Sequence, residues 1–203
     1  MQMRRRIIPA ALMVAIGLTG CFWGQSQKPK PQFPAGQGDI RLIAVMPVLN
    51  QTQDQEAPRL LRQKVLEALY FKGYPKIPLS VVDDKLKEAF QGQPEHVRAN
   101  ASPREVGRLL GADAILYLTL YEARMTASYG GVSVPVTISA SFELKNARTG
   151  EVLWQSAQKT VMRQYDVTKK GLERKAYLVY EEAVSDVVQK ALTTLPDGPN
   201  SLG

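Results

Sequence analysis

The sequence predicts an α/β (α+β) fold: a mixed sheet with a long antiparallel hairpin and helices packed on it. Three observations carry this expectation. Residues 40–48 form an almost continuous apolar run, which reads as a strand buried on both faces. Val132, Val134, Val136, Ile138, Ala140, Phe142 and Leu144 alternate with mostly polar neighbours, the period of a long antiparallel strand with one face on the core. Residues 172–192 set Val179, Ala183, Val184, Val187 and Ala191 along one broad side of a helix, which must pack on the sheet.

The remaining elements follow in chain order. After the polar loop 50–56, Pro58 opens a helix in which Leu61, Val65 and Leu69 recur at helical spacing, and Gly73 stops it. Residues 77–82 (IPLSVV) read as a second strand, completing a β-α-β-like unit. A short helix over 83–90 follows, with Asp83 and Asp84 as capping acids. Beyond the polar loop 91–101, Ser102-Pro103-Arg104-Glu105 is a helix start with a capping box, and that helix ends at Gly111. A strand over 112–121 leads to the long strand 132–145. The segment 146–151 (NARTGE) then turns the chain into a return strand over 152–161.

The amino terminus reads as an address and an anchor. Arg4, Arg5 and Arg6 precede the uncharged apolar run 7–18, the basic and apolar regions of a secretory signal. That run is too short to span a membrane, which needs about 20 apolar residues. It ends in Leu18-Thr19-Gly20-Cys21, which resembles the lipobox of bacterial lipoproteins, with Cys21 as the thiol that accepts lipid. Residues 1–20 are therefore expected to be the signal peptide. An acylated Cys21, palmitate included, would hold the chain on a membrane without a transmembrane helix. Phe22 stands where an Asp would retain an enteric-type lipoprotein in the inner membrane, so the expected location is the periplasmic face of the outer membrane. Residues 21–39 are rich in Pro, Gly and Gln and read as a flexible tether. The single domain is expected over 40–195, with 196–203 a disordered tail.

Formal net charge is +7, and removal of the three signal-peptide arginines lowers it to +4. No run of Lys and Arg interleaved with aromatics points to nucleic acid, so none is expected as a partner. His96 is the only histidine and Cys21 the only cysteine, which leaves almost no material for a Cys/His metal site or a His-based triad. No phosphate-binding glycine motif is present, and no cofactor or metal is expected. Asp113 and the pair Glu181-Glu182 read as a turn residue and as solvated charge. The Tyr117, Tyr121, Tyr129 series reads as strand packing more than as a binding surface.

Several segments together carry a family resemblance: 43–50 (IAVMPVLN), Gly73-Tyr74 ahead of Val81-Val82-Asp83, 110–117 (LGADAILY) and 144–154 (LKNARTGEVLW). Their order resembles the periplasmic lipoproteins of the neisserial genome-derived antigen type, related to CsgG, LpoB and the amino-terminal domain of TolB. The resemblance spans roughly residues 40–190. It implies a TolB amino-terminal-domain-like fold and positive φ at Gly111 and Gly150. It also implies that Trp154 anchors the hairpin to the core, and it points to binding and assembly at the cell envelope rather than enzymatic activity. The stretch 125–135 is too short for the membrane hairpins of a CsgG-type pore, so none is expected.

The expected function is thus a membrane-anchored binding, scaffolding or assembly factor of secretion or peptidoglycan-associated machinery. The alternative is a cell-wall hydrolase working through carboxylates alone. Ser133, Thr137, Ser139 and Ser141 give the long strand a small, uncharged outward face, so this strand is the expected interface for a partner or a homodimer.

Overall fold

Alternate residues of the first strand reach two different cores. The computed structural model describes residues 31–35, 39–91, 101–125, 133–165 and 169–201. In it β1 (Ile43–Val45) sends Ile43 and Val45 into one apolar cluster, and Ala44 with Met46 into another on the opposite face. The run is indeed buried on both sides, but it is not one strand. Pairing lapses after Met46, whose N–H bonds the Leu116 carbonyl at 3.0 Å, and resumes at β2 (Leu49–Asn50). Both pieces lie parallel to β3 (Ala114–Met125). β4 (Ser133–Asn146) and β5 (Val152–Tyr165) follow antiparallel, giving a mixed sheet in the order β1-β3-β4-β5 with β2 beside β3.

Helix α1 (Glu56–Phe71) joins β2 to the next layer and buries Leu61, Val65 and Leu69 on the sheet, as the spacing requires. Residues 77–82 are not a strand. They open α2 (Leu79–Phe90), in which Val82 and Leu86, four apart and fully buried, form the packing stripe. A short apolar run does not distinguish strand from helix by itself. Here the place beside β1 is also closed, because Arg62 of α1 donates to the Val45 carbonyl from Nε at 3.3 Å and Nη2 at 3.0 Å. Asp83 and Asp84 consequently lie within α2 and do not cap it.

The expected capping box is present at α3 (Pro103–Leu110): the Ser102 side chain accepts from the Glu105 N–H while Glu105 reaches back to the Ser102 N–H. Gly111 ends that helix at φ 67°, and Gly150 closes the β4–β5 turn at φ 81°, both left-handed as expected.

The last helix, α4 (Lys169–Leu192), lies with α1 on one face of the sheet and packs against β4 and β5. The segment expected to be a disordered tail is instead docked through 196–201. Tyr74 donates to the Pro196 carbonyl at 3.0 Å, Gly198 N–H to Lys72 at 2.7 Å and Asn200 N–H to Gly73 at 3.1 Å. The open carbonyls at the end of α1 supply the acceptors that an isolated tail would lack.

Candidate functional site

The two faces of the sheet are covered unequally, and that inequality makes the site. On one face α1 and α4 run over the whole sheet and enclose Val136, Ile138, Ala140, Phe142 and Leu144 of β4. On the other, α2 and α3 cover β1 and the first half of β3, where Ile115 and Tyr117 meet Val82, Leu86, Val106 and Leu110. No described helix packs on β4 and β5 from that side.

Thr137, Ser139 and Ser141 of the expected interface lie on this open face and are half-buried. Ser133 begins β4, and its side chain is outside the described residues. β4 is not a free edge, because β3 pairs with it on one side and β5 on the other. Only its outward side chains are available.

Around them the face is built from three strands. The register slips between Leu120 and Glu122, a bulge that puts Tyr121 and Glu122 successively on the open side. Tyr121 is half exposed, and its hydroxyl lies 3.1 Å from Ser141 Oγ. With Thr119, Ser141, Glu143, Gln155 and Ala157 it lines a shallow depression of about 570 Å³. Ion pairs bound this trough. Glu143 holds Lys145 at 3.1 Å, and Lys145 lies 5.5 Å over the Tyr117 ring. Further along the strands, Glu122 accepts from Lys159 at 2.8 Å and from Arg124 at 2.6 Å. The Lys159 hydrogen bond, helped by Arg124, holds the Glu122 carboxyl below the usual range.

Tyr121 therefore belongs to the surface, against the expectation of strand packing, while Tyr117 is buried as expected. Glu122 went unnoticed in the sequence because only the bulge turns it outward, and no residue pattern announces a bulge. Three of the other acids singled out, Asp83, Glu181 and Asp113, have structural partners. Asp83 meets the Nη1 of Arg62 at 2.8 Å, and Glu181 meets Lys64 at 2.6 Å. Asp113 Oδ2 accepts the N–H of Arg41 at 3.0 Å and of Leu42 at 2.9 Å, tying the start of β1 to β3. Among the described residues there is no group of three His, Cys, Asp or Glu fit to hold a metal. Nor is any described helix long and apolar enough to cross a membrane. Cys21, His96, Tyr129 and the segment 126–132 lie outside the described residues.

Residues 37–197 match the family model of the GNA1162-like lipoproteins. The fold is similar to lipoprotein GNA1162 from Neisseria meningitidis, at 21% identity and a TM-score of 0.56 over 70% of this chain and 96% of that one. It is also similar to PelC, solved as a dodecamer from Paraburkholderia phytofirmans, at 16% identity and a TM-score of 0.51 over 83% and 96% of the two chains. The C-terminal domain of LpoB from Escherichia coli aligns more loosely, at 15% identity and 0.41 over 59% and 82%. No curated protein matches the sequence.

Proposed function

Because the chain belongs to the GNA1162-like lipoprotein family, we propose that it is a binding or assembly factor of the cell envelope, anchored through Cys21. On this reading it docks its partner on the open face of β3, β4 and β5. The family supports a lipid anchor, and Leu18-Thr19-Gly20-Cys21 supplies the acceptor thiol. Phe22 favours the periplasmic face of the outer membrane. The observation that carries the docking role is the uncharged stretch of Thr137, Ser139 and Ser141, left outside both helical layers. The Glu122–Lys159 pair crosses β4 at Ser139, and because these charges are already paired and hydrogen-bonded they add less to the cost of covering the short hydroxyl side chains than lone charges would.

The partner is an envelope protein of secretion or peptidoglycan-associated machinery, or a second copy of this chain. Catalysis through carboxylates is the weaker reading. A general acid needs its proton affinity raised toward neutrality, and Glu122, the shifted acid on this face, moves the other way. The test is crosslinking and pull-down from membranes, with light scattering of the purified chain, for wild type and a Ser139→Lys, Ser141→Lys double variant. Loss of a crosslinked species in a variant that melts normally supports docking here. An unchanged crosslinking pattern removes the face from consideration.

A further inference from the structure

The most exposed large apolar side chain described is Phe71, at 83% of its free area, and Tyr70 beside it is 54% exposed. They close α1. The rings meet edge to face at 5.9 Å, and the Lys76 ammonium stands 4.4 Å over the Tyr70 ring. An aromatic pair left in water at a helix end gains nothing for the fold, since neither ring contributes to a buried cluster.

The topology decides which way this pair points. Residues 43–50 climb about 26 Å at the usual rise of a strand, and the 16 residues of α1 descend about 24 Å. Phe71 thus returns to the level at which the chain enters the sheet. That entry is Asp39, reached from Cys21 through the segment 22–38. At the same end Asp113 and the β4–β5 turn sit beside Leu42 through the Asp113-to-Leu42 and Ala147-to-Asp113 hydrogen bonds. This places Arg148, and Arg104 whose Nε reaches the Arg148 carbonyl at 3.1 Å, around the entry. Neither arginine forms an ion pair among the described residues. Two of the acids nearby are engaged, Asp39 with Arg41 at 3.0 Å and Glu105 with Ser102.

We propose that this end of the domain rests on the phospholipid surface, with Phe71 and Tyr70 seated at headgroup depth and Lys76, Arg104 and Arg148 facing the phosphates. The inference rests on the membrane attachment through Cys21 proposed above. Aromatic rings with a polar or cationic neighbour prefer the membrane interface, where the ring leaves water and the cation meets phosphate. Long basic side chains reach the headgroups from a few ångströms above them.

The lipidated chain itself permits the test, because acylation consumes the sulfur of Cys21 and leaves no other thiol. Phe71→Cys, and separately Tyr70→Cys, would be labelled with an environment-sensitive fluorophore and reconstituted in phosphatidylcholine–phosphatidylglycerol vesicles carrying headgroup nitroxides. Gln53→Cys, exposed at the opposite end of α1, serves as the reference. The expected result is several-fold stronger quenching at 71 and 70 than at 53. Equal quenching, or more at 53, overturns the orientation even with the anchor intact. Two labelled thiols per chain, or a chain that washes off the vesicles, overturns the anchor reading and this proposal together, and the thiol count tells the two failures apart.

Discussion

Arg62 is the side chain on which two elements depend. It is 8% exposed, and its guanidinium closes the outer edge of β1 at Val45 while Nη1 pairs with Asp83 of α2. Burial works against its charge, and Asp83 restores part of the balance. Arg62→Leu should therefore cost about 2–3 kcal/mol, below the usual cost of breaking a fully buried pair because Asp83 is partly solvated. Denaturant unfolding measures it, and a loss near zero would mean that the pair is dispensable. Trp154 packs against the core, as the resemblance implies, without being fully buried. It is half-buried against Phe142, with ring centroids 6.5 Å apart, and donates to Thr194 at 3.0 Å. Trp154→Ala is expected to cost about 2 kcal/mol, less than the roughly 3–5 kcal/mol of a buried aromatic, as read from thermal melting. Asp186 carries a pH signature. Its hydrogen bond from Lys190, and then that from Thr160, hold it below the ordinary carboxylate range. A depressed carboxylate stabilises the fold above about pH 4 and loses that contribution as the pH falls through its folded value. Melting temperature should fall more steeply on acidification in wild type than in Asp186→Asn, and parallel curves would remove this role.

At the scale of elements, the contact between the end of α1 and the carboxy-terminal segment was hidden from sequence reasoning. Gly73 was legible as a helix stop, and its φ of 90° agrees. Its second role was not, because nothing in Pro196-Asp197-Gly198 announces a docking site. A Cβ at Gly73 would fall 2.3 Å from the Ser201 nitrogen and 2.8 Å from the Asn200 carbonyl carbon. Gly73→Ala should then destabilise by more than the roughly 1–2 kcal/mol of left-handed strain alone. In a chain ending at Leu195 the same substitution should cost only that strain. The two changes are thus coupled, and additive losses in a double-mutant cycle would show that the segment does not press on Gly73. The capping box at α3 was readable from four residues because its hydrogen bonds are local. For residues 77–82 the choice between helix and strand depends on what already occupies the edge of β1, which local spacing does not show.

For the whole molecule, the consequence of one-sided layering is a domain with a polar sheet face and an aromatic, basic end. Cys21→Ala should move the protein from the membrane to the soluble fraction and abolish acyl labelling, while leaving the melting temperature of the domain unchanged. Retention of the variant in the membrane pellet without label would remove Cys21 as the anchor. By itself the sequence determined the alternation of β4, the helical stripes of α1 and α4 and the family. All of these are written in local spacing, where a side chain's face follows from periods of 2 or 3.6 residues. The tertiary structure alone decided that β4 is central instead of an edge, that a bulge turns Tyr121 and Glu122 outward, and that α2 and α3 stop short of β5. It also decided that Phe71 returns to the end of the sheet at which Asp39 lies. These depend on which distant segments compete for the same surface, and residues far apart in the chain settle that competition by packing, which no local pattern records.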